Sequence, residues 1–295
     1  MKTGYQPGLL TVHEDPSTLT SVSTTLRSAG RKVALVPTMG ALHEGHVELI
    51  KHARRSPGAT VIAVSIFVNP LQFAAGEDLD RYPRPLEADL EKCRENGVEL
   101  VFTPTAMMMY GENPQITVHP GPLGDELEGA VRPGHFAGVL TVVAKLFGIV
   151  RPQLAYFGEK DYQQLVLVRQ MSRELNLGVD VAGVPTVRER DGLALSSRNV
   201  YLSPDHRVRA ATLSAALTAA RHAAIAGSEA ALEAAEKILA AEPELSVDYL
   251  RLRAPDLGPA PERGPARILV AARIGDTRLI DNMPLNLGQP VRSYQ

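Results

Sequence analysis

Two histidines spaced three residues apart, His43 and His46, follow the apolar run 33–36 and a turn that contains Gly40. Residues three apart on a helix share a face, so the two imidazoles are expected to point the same way. The first turn of a helix also presents unpaired backbone N–H groups, which favour anions. Gly40 and Gly45 would let a ligand approach the backbone closely. The segment therefore predicts a phosphate site in which both imidazoles donate hydrogen bonds to developing charge.

The segment His-Glu-Gly-His also resembles a zinc motif. That motif places its histidines four residues apart on a helix, with a glutamate between them. Here the spacing is three, and no third ligand stands nearby in the sequence. The spacing argues against zinc, and a helix cap or a pair of core histidines is the structural alternative.

A second segment, residues 157–164, follows the apolar stretch 154–157 and reads Phe-Gly-Glu-Lys-Asp-Tyr-Gln-Gln. A lysine in the first turn of a helix is unfavourable for the helix dipole. Lys160, at the end of a strand and beside a glycine, is suited to neutralise a phosphate. A solvated pair between Lys160 and Asp161 is the simpler alternative.

The loop that contains Ser196, Ser197 and Arg198 places small donors before an arginine. Arginine binds phosphate oxygens through two parallel N–H donors, so loops of this kind commonly hold phosphates. Ser-Ser-Arg also occurs in many ordinary loops, so the motif alone is a weak signal for a phosphate site. Its position near a predicted domain boundary strengthens that signal. A loop there could close over a bound nucleotide.

Amide side chains predict a pocket for a small substrate. Asn69 and Gln72 follow the predicted strand 60–67, and Gln164 falls on a predicted helix. Amides at the carboxyl edge of a sheet can bind hydroxyl and carboxylate groups. An Asn-Pro turn is the ordinary alternative for the first pair.

Apolar strands that alternate with helices must position these residues. Strands that are apolar throughout and separated by helices are typical of a parallel sheet with helices on both faces. Such sheets bind ligands at the carboxyl ends of their strands. The predicted strands are 33–37, 60–67, 98–102, 154–157 and 178–184, and the predicted helices are 43–55, 86–96, 136–150 and 160–175.

The composition changes after about residue 185, where alanine-rich helices are followed by strand-like segments. This order predicts a smaller α+β domain at the C-terminal end. The helix 136–150 is apolar nearly all round, so we expect it to be buried, with a subunit interface as the alternative.

The 295 residues are 44% hydrophobic and 22% charged, with a net charge of −2. These values are typical of a globular protein and give no strong attraction to nucleic acid or to a membrane. A single cysteine, Cys93, excludes an internal disulfide and suits a reducing compartment. The N-terminal residues lack the apolar core of a signal peptide, and no apolar run approaches a membrane span. We expect a cytoplasmic protein with neither a nucleic-acid nor a membrane partner.

Four long motifs, taken in this order, resemble the pantoate–β-alanine ligase (pantothenate synthetase) family of the nucleotidyltransferase superfamily. They are residues 37–46, 65–73, 157–164 and 196–199. The superfamily signature His-x-Gly-His appears as residues 43–46. The lysine-rich signature loop of the related class I aminoacyl-tRNA synthetases is not present, and residues 196–198 take its place.

The resemblance implies an ATP-dependent, AMP-forming ligase of pantothenate and coenzyme A biosynthesis. The enzyme would join pantoate to β-alanine through a pantoyl-adenylate. The resemblance also implies Mg²⁺ as cofactor and a homodimer. From the composition change near residue 185, we expect residues 1–185 to form a Rossmann-like domain that binds nucleotide and pantoate, and residues 186–295 to form a smaller domain that closes over the active site.

The resemblance also implies a role for each site residue. Pantoate and β-alanine would be bound by Asn69, Gln72 and Gln164. The catalytic set would be His43, His46, Lys160, Ser196, Ser197 and Arg198, with His46 as the favoured proton donor. ATP would contact this catalytic set together with Pro37, Thr38, Met39, Gly40, Gly158, Glu159, Asp161, Val187 and Leu195.

Some relatives carry an acidic cluster near position 88, where this chain reads Glu87-Ala88-Asp89 with Lys92 one turn further on. We therefore predict no metal ligand there, and expect Mg²⁺ to rest on ATP phosphates and water.

Two other functions compete with the ligase. An adenylyltransferase acting on a phosphorylated acceptor would need arginine or lysine around residues 65–75, and that region has none. A non-catalytic nucleotide sensor would bind without turnover, and it gives no reason to combine Lys160 with both histidines.

Overall fold

A computed structural model describes residues 5–58, 60–74 and 76–288. These residues form two compact units. The first contains the chain up to Glu159 together with Leu167–Pro185, and the second contains Lys160–Val166 together with the chain from Thr186 onward. The composition indicated only the crossing near residue 185. The seven-residue segment Lys160–Val166, which belongs to the second unit, leaves no compositional signal.

The first unit is built on a six-stranded sheet in the order β1-β4-β3-β2-β5-β6, in which every pair is parallel. This confirms the predicted Rossmann-like sheet. Its strands are β1 (Thr11–His13), β2 (Lys32–Thr38), β3 (Thr60–Ile66), β4 (Leu100–Phe102), β5 (Leu154–Gly158) and β6 (Asp180–Val184).

The side chains of β2 show why these segments are strands. Val33, Ala34, Leu35 and Val36 are all fully buried. Consecutive residues of a strand point to opposite faces, so both faces of the sheet are covered. The chain leaves β2 toward β3 on one side and later returns to β5 on the other, which makes the carboxyl end of β2 a topological switch point.

Helices cover this sheet, and the longest of them is largely buried, as its apolar sequence predicted. The sequence analysis missed β1, α1, α4 and α5, which are short or rich in serine and threonine. The helices are α1 (Pro16–Ser28), α2 (Glu44–Arg54), α3 (Leu86–Glu95), α4 (Ala106–Tyr110), α5 (Glu128–Val131) and α6 (His135–Val150). Helix α7 (Tyr162–Glu174) begins in the second unit and continues into the first.

The second unit packs helices on a three-stranded antiparallel sheet in the order β7-β8-β9. Its core consists mainly of alanine and leucine side chains from the helices against branched residues of the central strand. This confirms the predicted α+β arrangement. The elements are α8 (Pro204–Ala210), α9 (Thr212–Ala223), α10 (Ser228–Ala240), β7 (Leu245–Arg253), β8 (Gly264–Ile274) and β9 (Thr277–Leu287).

Candidate active site

The two histidines cap helix α2 with their own rings. His43 Nδ1 accepts the backbone N–H of Gly45 at 3.1 Å, and His46 Nδ1 accepts the backbone N–H of His43 at 3.2 Å. The ring centroids are 4.1 Å apart. A ring nitrogen that accepts an N–H carries no proton, so each neutral imidazole holds its proton on Nε2. In that form, Nε2 is the donor of each ring and lies on the edge opposite the one that caps the helix.

The glycines of this loop, Gly40 and Gly45, make room for neighbouring side chains of the protein itself. A Cβ on Gly45 would lie 2.8 Å from the His43 ring, so glycine makes room for that ring over the first turn. Gly40 has φ of 86° in the left-handed region, and a Cβ there would lie 3.0 Å from Asp89 Oδ2. The expected close approach of a ligand to this backbone stays a prediction.

Side chains of helix α3 bind the backbone of the loop that precedes His43. The carboxylate of Asp89 accepts the backbone N–H groups of Ala41 at 2.8 Å and of Leu42 at 2.7 Å. Lys92, three residues along the same helix, donates its Nζ to the Leu42 carbonyl oxygen. Asp89 is 1% exposed. From sequence, Asp89 was considered only as part of a metal cluster, although its spacing of three residues from Lys92 is the signal for a shared helical face.

The thiol of Cys93, on the same helix, is buried, and burial raises its pKa to about 12. It therefore stays protonated at neutral pH and is a poor nucleophile.

Asn69 is buried, and both ends of its amide are bound within the protein. Nδ2 donates to Gln72 Oε1 and to the Gly138 carbonyl oxygen, each at 3.1 Å. Oδ1 accepts from Leu71 N at 3.2 Å and from Tyr110 Oη at 2.7 Å. An amide offers two N–H donors and one oxygen with two lone pairs, so this side chain is saturated.

Gln72 is oriented by Asn69 and by Met39, whose Sδ accepts from Gln72 Nε2 at 3.1 Å. This contact joins the end of β2 to the turn after β3. The structure thus brings together, within the first unit, residues that the sequence analysis assigned separately to ATP and to pantoate.

The backbone of Gln72 is fixed by a cluster that the sequence analysis missed. Its carbonyl oxygen accepts from His135 Nδ1 at 2.8 Å and from Arg132 Nη2 at 3.2 Å. Arg132 also forms a two-pronged pair with Glu77, at 2.7 Å for each bond. Burial, followed by the charge of Arg132, lowers the pKa of His135 to about 4. His135 is therefore neutral at physiological pH and serves as a hydrogen-bonding group.

Other predicted nucleotide residues of the first unit lie at the carboxyl ends of neighbouring strands. Thr38 Oγ1 donates to the Ser65 carbonyl oxygen at 2.7 Å, next to Pro37. Gly158 ends β5, and Glu159 begins a short 3-10 helix that runs to Asp161.

In the second unit, Lys160 lies 3.6 Å from Asp161 Oδ1, and its side chain is 20% exposed against 49% for Asp161. Asn282 Nδ2 donates to the Lys160 carbonyl oxygen at 2.9 Å. Asn282 in turn accepts from Arg267 Nη1 at 2.5 Å, and the Arg267 guanidinium stacks 3.6 Å from the Tyr162 ring. The lysine backbone is therefore anchored by β8 and β9, more than a hundred residues away in sequence.

The loop before the serine–arginine motif doubles back on itself. Leu195 N donates to the Val187 carbonyl oxygen at 3.0 Å, which places these two predicted nucleotide residues side by side. Ser196 caps the short helix Ser197–Tyr201 by accepting the N–H of Arg198 at 3.2 Å. Ser197 and Arg198 are half-buried, as is Gln164.

An ion pair between a half-buried arginine and a buried aspartate fixes this loop to β9. Arg188 donates to both oxygens of Asp281, at 2.6 and 2.9 Å, and to the Gly192 carbonyl oxygen at 3.0 Å. Asp281 is 3% exposed. Sequence spacing gave no signal for a partner 93 residues away.

Comparison with known proteins decides the family. Residues 11–284 match the family described as pantoate-beta-alanine ligase. The chain belongs to the pantoate–β-alanine ligase family. This confirms the resemblance drawn from the four motifs. A member of this family is a ligase that joins pantoate to β-alanine to give pantothenate.

Relatives support the assignment over nearly the whole chain. Pantothenate synthetase of Saccharopolyspora erythraea is 63% identical over 285 residues, which cover 97% of this chain and 94% of the relative. The corresponding protein of Mycolicibacterium smegmatis is 61% identical over 284 residues, which cover 96% of this chain and 90% of the relative.

Solved structures of the ligase family share the fold. Pantothenate synthetase of Thermus thermophilus gives a TM-score of 0.86 at 49% identity, covering 92% of this chain and 98% of that one. The Francisella tularensis ligase, in complex with beta-gamma ATP and β-alanine, gives a TM-score of 0.78 at 32% identity. The match covers 93% of this chain and 97% of that one.

None of the helices that the structure describes is both long enough and apolar enough to cross a membrane. Among the described residues, no group of three or more His, Cys, Asp and Glu side chains is arranged to hold a metal ion.

Proposed function

We propose that the chain joins pantoate to β-alanine at the expense of ATP, in two steps. A pantoate carboxylate oxygen first attacks the α-phosphorus of ATP, forming pantoyl-adenylate and releasing pyrophosphate. The amine of β-alanine then attacks the acyl carbon, forming the amide and releasing AMP and a proton. The observation that carries this proposal is the pair of imidazoles in the ligase fold, each of which accepts a backbone N–H at Nδ1. The ATP and β-alanine complex of the Francisella relative supports the same substrates.

The first step brings two anions together, so its main need is charge neutralisation. Donors that are already oriented stabilise developing phosphate charge at little cost in reorganisation. We assign this task to His43 and His46 through Nε2, to the ammonium of Lys160, and to Arg198 with its two neighbouring serines. His46 is the proposed proton donor to the leaving pyrophosphate. The remaining ATP contacts are those that the resemblance assigned.

The second step needs mainly positioning, because the mixed anhydride is already activated. We propose that Gln72 and Gln164 bind pantoate. Asn69 acts through Gln72, since its own donors and acceptors are taken up inside the protein.

Mg²⁺ has no protein cage among the described residues. Asp89, the buried carboxylate that holds the histidine loop, has both oxygens bound to amides. We propose that Mg²⁺ is carried by ATP phosphates and water, and we assign it no protein ligand.

The deciding test is exchange of labelled pyrophosphate into ATP in the absence of β-alanine. We expect exchange that requires pantoate, because only the adenylate step is then running. Exchange without pantoate, or no exchange under conditions where the protein is folded, contradicts the adenylate mechanism.

We also propose a cytoplasmic homodimer, the oligomeric state that the family resemblance suggests, in which the C-terminal residues 186–295 close over the bound substrates. Sedimentation equilibrium measures the dimer, and a mass of about 32 kDa for the species in solution contradicts it.

A further inference from the structure

One helix holds the backbone of residues 41 and 42, which precede His43, through both N–H groups and a carbonyl oxygen. Asp89 binds the N–H groups of Ala41 and Leu42, and Lys92 binds the Leu42 carbonyl oxygen. Asp89 is 1% exposed and Leu42 is 2% exposed. Hydrogen bonds to a charged group are strong where water is excluded, so this clamp resists displacement.

The loop needs such a clamp because its backbone is unfavourable by itself. Ala41 adopts φ of 51°, in the left-handed region that residues with a Cβ rarely occupy. Gly40 adopts φ of 86° directly before it, and a Cβ on Gly40 would lie 3.0 Å from Asp89 Oδ2. A strained residue persists only where surrounding groups hold it, and Asp89 binds the N–H of Ala41 and the N–H of Leu42 after it.

The loop sets the protonation of the rings. His43 follows Leu42 directly, its N–H binds His46 Nδ1, and its own Nδ1 binds Gly45 N–H. If the peptide before His43 rotates, the N–H that keeps His46 Nδ1 unprotonated turns away. The contact that disfavours a proton on Nδ1 of that ring is then lost.

We propose that Asp89 is a positioning residue for adenylate formation, which holds residues 40–42 so that both imidazoles keep their protons on Nε2, toward the nucleotide. The catalytic consequence rests on the proposed function, whereas the effect on the rings does not. A metal-binding role for Asp89 is the competing explanation, and it requires the carboxylate to leave the two amides.

The experiment uses the full chain and three variants. Asp89→Asn keeps the size of the side chain but replaces one acceptor oxygen by an NH₂ group that faces a backbone N–H. Lys92→Met removes the grip on the Leu42 carbonyl oxygen and leaves Asp89 in place. Glu87→Gln is the matched control, because Glu87 is an exposed acid on the same helix.

Two readouts are compared for each protein. Two-bond ¹H–¹⁵N correlation spectra of ¹⁵N-histidine-labelled protein report the tautomer of each ring without any substrate. Pantoate-dependent pyrophosphate exchange reports kcat/KM for ATP and KM for pantoate.

We expect the wild-type protein and Glu87→Gln to show the Nε2–H tautomer for His43 and His46. We expect Asp89→Asn to lose that single tautomer and to lower kcat/KM for ATP at least about tenfold, with KM for pantoate within about twofold. Lys92→Met should change both readouts in the same direction by a smaller factor.

Wild-type tautomers in Asp89→Asn, an equal loss for both substrates, or recovery with excess Mg²⁺ would overturn the proposal. If Asp89→Asn does not fold, Lys92→Met decides, and wild-type values in both of its readouts reject the clamp. Failure of the proposed function is distinguishable, since wild-type protein would then show no exchange while the spectra still report the rings.

Discussion

In the proposed mechanism, Lys160 is the residue on which charge neutralisation depends most directly. Its side chain is mostly shielded from water, and its backbone is anchored by Asn282. We expect Lys160→Ala to lower kcat for pyrophosphate exchange by about two orders of magnitude, the typical effect of removing one oriented donor. The melting temperature should stay close to that of the wild type, since the anchor uses the backbone. Stopped-assay kinetics and calorimetry measure the two quantities.

Lys237→Ala is the control for that variant, because Lys237 is an exposed lysine of the same unit. It should leave kcat unchanged. A Lys160→Ala enzyme with near-normal exchange would remove the lysine from its assigned role.

At the scale of elements, the turn that carries Gln72 rests on α6 through a contact that only glycine permits. A Cβ on Gly138 would lie 2.0 Å from the Leu71 carbonyl oxygen and 2.7 Å from Gln72 N. We expect Gly138→Ala to push the turn outward, raise KM for pantoate at least about tenfold, and lower the free energy of unfolding by about 1–3 kcal/mol. Steady-state kinetics and urea unfolding test both effects.

Gly148→Ala is the matched change on the same helix, where a Cβ would meet nothing within 4 Å. It should leave KM unchanged and be neutral or stabilising, because alanine is the better helix former. If both variants behaved alike, the close approach at Gly138 would not control pantoate binding.

Helices and strands were predicted from the sequence more completely than the contacts between them. Strands β2 and β3 and helix α2 follow from uninterrupted apolar runs and from helical spacing, which are local patterns. Helix α1 escaped because serine and threonine are poor helix formers; it depends on Asp15, which accepts the N–H of Thr18, and on Pro16 in its first turn. The anchors Asp89, Asn282 and Asp281 could not be read from the sequence, since each acts on a partner that only the fold brings near.

At the scale of the whole molecule, His135 makes stability depend on pH in a definite window. Its pKa is about 4 in the folded protein against 6.5 for a free side chain. Between these values the unfolded chain binds the extra proton, so stability is fully present above pH 6.5 and falls as the pH drops toward 4. Urea unfolding at several pH values measures the slope.

His135→Gln should flatten the slope between about pH 6.5 and about pH 4.5, whereas His222→Gln, a change at an exposed histidine, should not. An unchanged slope in His135→Gln would contradict the assignment. The buried His13 has a lowered pKa and contributes in the same direction, so some slope should remain.

The placement of Lys160–Val166 in the second unit limits where the protein can be split into two polypeptides. A cut at residue 185, where the composition changes, would leave the lysine on one polypeptide and Asn282, Arg267 and the carbonyl of Pro255 that Tyr162 binds on the other. Neither half would carry a properly supported lysine. The two compact units are thus not exchangeable modules, and a shuffled or split version of this ligase has to keep residues 160–166 together with the C-terminal sheet.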